Sequence, residues 1–81
     1  MLSLEAKAAL KAANDKVAAA QVRVTELQAV AAEKHRIADE AAAAATTNEE
    51  RYKANDLRYQ ANTADYNVNS GKYDVRSAEY N

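Results

Sequence analysis

Cysteine, proline, tryptophan and phenylalanine are absent from this chain of 81 residues, and glycine occurs once. Without cysteine there is no disulfide framework and no thiolate metal site. Without proline, and with a single glycine, turn formers are scarce, which argues against an all-β or loop-rich fold. Long hydrophobic runs are missing too. The longest uncharged apolar stretch is Ala41 to Ala45, far short of a membrane span. An excess of one charge is also missing: Lys plus Arg is 11, Asp plus Glu is 12, and the signs are interspersed. There is no basic block to attract nucleic acid or anionic lipid, and no acidic tail. The opening Met1-Leu2-Ser3-Leu4-Glu5 does not read as a signal peptide. The expectation is a soluble chain made in the cytosol, whose destination could be a virus particle or an extracellular assembly.

What the chain does contain is alanine. Hydrophobic residues make up 48% of it, yet the mean hydropathy is -0.61. Most of that hydrophobic fraction is Ala, joined by Tyr. Ala fills little core volume, so a lone globular unit of this length would be poorly stabilised.

The C-terminal part carries a seven-residue repeat. Tyr recurs at Tyr52, Tyr59, Tyr66, Tyr73 and Tyr80, and Asn recurs at Asn48, Asn55, Asn62 and Asn69. A strand, with its period of two, would throw residues seven apart onto opposite faces. A helix keeps them within about 20° of each other, and a supercoil removes that drift. The repeat is therefore a helical heptad, with Tyr at a and Asn at d. The same phases continue upstream through Leu10, Val17, Val24, Ala31, Ala38 and Ala45 at a, and through Ala13, Ala20, Leu27, Lys34 and Ala41 at d. The seam is thus aliphatic first, then Ala with Lys34 interrupting, then Tyr alternating with Asn. A second stripe, Ala54, Leu57, Ala61, Ala64, Val68, Gly71, Val75 and Ala78, lies on the opposite face of the C-terminal half.

The fold predicted from this pattern is all-α: a long heptad-repeat helix forming an oligomeric coiled coil. Residues 1–45 supply an Ala/Leu/Val seam, and residues 46–81 a Tyr/Asn heptad continuing its register. A continuous helix of this length would span about 120 Å. The alternative is a helical hairpin with a turn near residues 46–48. There Thr46 with Glu49, or Thr47 with Glu50, has capping-box spacing. The unbroken register across residues 45 to 52, and the lack of Gly or Pro, favour continuity.

An amphipathic helix cannot bury its own stripe, so partners are required. The predicted interface is the seam of Leu10, Val17, Val24, Leu27, Ala31, Ala38 and Ala45, with Tyr52, Asn55, Tyr59, Asn62, Tyr66, Asn69, Tyr73 and Tyr80. The second stripe is a further interface under a two-faced reading. Tyr is bulky for a two-stranded seam, so homo-oligomers of three or more strands are expected, with another structural protein as a further candidate partner. A third arrangement puts the Ala/Leu/Val stripe inside and leaves the Tyr/Asn ladder exposed.

Chemistry-bearing patterns are few. His35, the only His, has Asp39 one turn later, but a metal site needs three or four ligands, so no metal and no cofactor is expected. Arg51, Arg58 and Lys72 interleave with Tyr like a stacking platform for single strands, but the near-equal count of acids speaks against nucleic acid. No Gly-rich phosphate loop, Ser/His/Asp set or paired-carboxylate cleft is visible, so no enzymatic activity is expected. In composition and periodicity, residues 6–80 resemble the alanine-zipper and heptad-stalk proteins of bacterial envelopes and phage fibres, although the lipidated Cys of the envelope lipoproteins has no counterpart. The resemblance implies a stalk, fibre, sheath or filament component, as of a phage particle or secreted appendage. The rival expectations are a small hairpin adaptor or assembly chaperone binding a partner helix, and a recognition module using an exposed Tyr/Asn ladder.

Overall fold

The computed structural model describes residues 1–80 and is all-α: helix α1, Leu4–Ala44, followed by helix α2, Asn48–Tyr80. The two lie side by side in a rod of 69 × 15 × 11 Å. Of the two arrangements the sequence leaves open, the chain adopts the hairpin.

Local chemistry accounts for both helices. In α1, Ala has the highest helix propensity of any residue. Ser3 caps the start, its hydroxyl accepting from the Ala6 N–H at 3.0 Å, and Glu5 sits in the first turn where the helix dipole favours an acid. Pairs one turn apart reinforce the exposed face: Lys11 donates to Asp15 at 2.8 Å and Arg36 to Glu40 at 2.7 Å. At the other end the backbone of Ala45 leaves helical space with φ -68° and ψ 123°. No residue in the described chain takes a positive φ, so the reversal through Ala45, Thr46 and Thr47 is built without the left-handed residue that glycine usually supplies.

Capping restarts the helix. The Glu50 N–H donates to Thr47 Oγ1 at 3.1 Å, and the Thr46 and Thr47 hydroxyls donate to Glu50 Oε1 at 3.1 and 3.0 Å. Of the two capping-box spacings, Thr47 with Glu50 is the one used. Continuity of heptad phase across residues 45–52 is a misleading guide here, because α2 turns its Tyr/Asn phase away from α1. Helices packed through opposite faces place no demand on phase through the turn.

The core is one seam. From α1 and its C-cap it takes predicted a and d residues: Ala31 and Ala38 are buried, Val17, Ala20, Val24, Leu27, Lys34 and Ala41 are half-buried, and so is the capping Ala45. From α2 it takes the second stripe: Ala54, Ala61, Ala64, Val68, Gly71 and Ala78 are buried, with Leu57 and Val75 half-buried. Ala38 and Ala61 have no exposed surface. Such small residues let two helix axes approach to the short end of the usual 8–10 Å. At Gly71 the fit is tight, since a Cβ there would lie 3.1 Å from Leu27 Cδ1 and 3.2 Å from Val24 Cγ2. The lone glycine is therefore a packing residue, and α2 remains helical through it.

Candidate interaction surface

The predicted seam divides at the turn. Its members from Val17 to Ala45 face α2 of the same chain, while Leu10 stays exposed. Its α2 members point away from the core: Tyr52, Tyr59, Tyr66, Tyr73 and Tyr80 are between 69% and 90% exposed, and Asn55, Asn62 and Asn69 are exposed between them. Residues seven apart on a helix are about 10.5 Å apart along its axis. The tyrosines therefore form a ladder with Asn in the intervals, running the length of α2. Asn55, Arg58, Tyr59 and Asn62 line a shallow depression on this face.

The heptad fixes why the two faces of α2 differ. At 100° per residue, the a and d positions centre about 160° from the c and f positions that hold Ala54, Leu57, Ala61, Ala64, Val68, Gly71, Val75 and Ala78. Once α1 covers c and f, no turn of α2 can bring Tyr inward. Volume reinforces the choice: Ala against Ala closes to a short axis separation that a Tyr layer would prevent.

Polar groups stitch the flanks of the hairpin. His35 donates from Nε2 to Asp65 Oδ2 at 2.7 Å, and Arg58 donates to Asp39 at 3.5 Å. These cross-helix partners were not legible in the sequence, where His35 and Asp39 look like a pair on one helix. They become visible once antiparallel pairing sets which residues of α1 and α2 lie level. Both pairs are substantially exposed, which limits each to about 0–1 kcal/mol. No group of three or more metal-ligating side chains occurs among the described residues. No described helix is long and apolar enough to cross a membrane.

A second exposed region lies at the start of α1. The last turns of α2, at Val75, Arg76 and Glu79, flank Gln21 and Val24. Earlier in α1, Leu4 and Leu10 are 84% and 52% exposed. Leu10 shares the a phase of Val17 but has no α2 residue over it. Outside the seam, Val22, Val30 and Ile37 add smaller exposed apolar surface to α1.

No protein-family model, curated protein or solved structure matches this chain.

Proposed function

We propose that this chain is a non-catalytic structural subunit, a helical-hairpin building block that self-associates into a larger helical assembly such as a stalk, fibre, sheath or filament, as in a virus particle or secreted appendage. The observation that carries the reading is the Tyr/Asn ladder: five tyrosines in strict register on one face, exposed while Ala closes the other. Soluble monomers rarely present a contiguous apolar patch beyond a few hundred Å², and tyrosine is enriched in interface cores. The Ala-built seam also needs support, because each Ala layer buries little area and burial contributes about 25 cal/mol per Å².

The test is the mass of the purified chain in solution by light scattering across a wide concentration range. Self-assembly predicts particles at multiples of 8.8 kDa with high helix content. A helical monomer at every concentration would overturn the reading. It would favour the adaptor instead, a reading that the hairpin form also suits, since a hairpin can offer one face to a partner helix.

A further inference from the structure

Resting on that reading, we infer that the partner on the Tyr/Asn face is a second copy of this chain, docked α2 against α2 in antiparallel sense, with Asn48 level with Tyr80 of the other copy.

The register follows from the sequence of the exposed face. In a parallel pair, like positions meet: Tyr would stack on Tyr and Asn on Asn. That alternates overfilled layers with layers of little volume, and the Tyr hydroxyls would have no amide in their own layer. In an antiparallel pair, a of one helix meets d of the other. With Asn48 opposite Tyr80, the further layers are Tyr52 with Arg76, Asn55 with Tyr73, Tyr59 with Asn69, and Asn62 with Tyr66, each occurring twice by symmetry. Every a and d residue of α2 then has a partner, and in every layer but Tyr52 with Arg76 a Tyr meets an Asn. A buried Tyr hydroxyl needs a hydrogen-bond partner, and an Asn amide offers both donor and acceptor. The exceptional layer places the Arg76 guanidinium against the Tyr52 ring, a cation–π geometry. Sliding the pair by one heptad leaves Tyr80 and Arg76 without partners in α2 in one direction, and Asn48 and Tyr52 in the other.

Area agrees with a second copy. A Tyr side chain has on the order of 150 Å² to bury, so the five exposed tyrosines hold about 750 Å², close to the roughly 800 Å² that one partner contributes to a standard-size interface. The structure leaves this face free for such docking, because α1 lies on the opposite side of α2. Two hairpins joined in this way form a layer in the order α1, α2, α2 of the partner, α1 of the partner, with both outer faces available for growth. Arg51 lies within one turn of Glu79 of the other copy at the rim, a favourable pair, while Arg58 lies within one turn of Lys72. Arg58 is already turned toward Asp39 within its own hairpin, which offsets that opposition.

The absence of cysteine makes single-site spin labelling clean. Thr63→Cys and Lys53→Cys, labelled separately, report distances between copies. The inferred register predicts less than about 20 Å at Thr63, next to the two-fold axis, and about 33 Å of axial separation at Lys53 from the helix rise. Short distances at both sites would mean a parallel pair and overturn the inference, leaving self-assembly intact. Long distances at both sites would overturn the antiparallel register. The double variant Tyr59→Ser, Tyr66→Ser is expected to shift the dimer to monomer at concentrations where the parent is dimeric. An unchanged mass would move the interface to another face and also overturn the inference. A parent chain that is monomeric throughout would sink both this register and the self-assembly it rests on.

Discussion

Two side chains two positions apart, Tyr59 and Ala61, show how differently neighbours on α2 are used. Ala61 has no exposed surface while Tyr59 is 74% exposed, although Tyr carries far more apolar area. Ala61→Leu must push α1 and α2 apart and is expected to cost about 1–3 kcal/mol by overpacking. Tyr59→Ala, under dilute conditions where the hairpin is monomeric, is expected to change stability by no more than about 0.5 kcal/mol. Urea unfolding followed by circular dichroism checks both. A reversed ranking would mean that Tyr, not Ala, lies in the seam of the isolated chain. Within a helix, Gly71 costs about 1 kcal/mol against Ala. Its actual surroundings, Val24 and Leu27 within van der Waals reach of an added Cβ, give that cost a compensation in close packing.

At the scale of elements, the decisive segment is the link between α1 and α2. Thr47 as N-cap contributes about 1 kcal/mol. The hydroxyl of Thr47, followed by that of Thr46, hydrogen-bonds the Glu50 carboxylate and holds its pKa below the ordinary 4.5. A carboxylate with a lowered folded-state pKa stabilises the fold above its unfolded value, and that contribution is lost as pH falls through the folded one. Thermal unfolding by circular dichroism is therefore expected to weaken below about pH 4.5. In Glu50→Gln part of that acid-side decline should disappear. Glu33, lowered by its hydrogen bond to Arg36, acts in the same direction within α1 and should persist in the variant. An identical pH profile for parent and variant would show that the turn carboxylate has no such role.

For the whole molecule, the hairpin makes a distance prediction that a single rod cannot share. Gln28 and Asn69 line one groove between the helices. In a continuous helix they would stand about 60 Å apart. Labels at these two positions on one chain, diluted into unlabelled chain, are expected within about 25 Å of each other if the helix folds back over one turn of roughly 10 Å diameter helices. A distance near 60 Å would restore the straight helix. The radius of gyration of the Cα atoms, 19.4 Å, gives scattering a second handle on dilute samples.

Helical character and the apolar faces of both halves were legible in the sequence, although it favoured one continuous helix. Period seven cannot be carried by a strand, Ala and the missing proline favour helix, and the phases assign Ala31, Ala38, Ala61 and Ala64 to stripes. The seam of α1 and the second stripe of α2 were each legible as apolar surfaces. Which stripe meets which, and whether in one chain or between chains, was not. Periodicity records that a face needs cover and says nothing about what covers it. Tertiary structure decided that the Ala stripe of α2 closes on α1, because small residues allow the closest approach of two helices, and that choice put Tyr52 to Tyr80 outside. It also decided the reversal at Ala45 to Thr47, since a turn made without positive φ leaves no glycine signature to read.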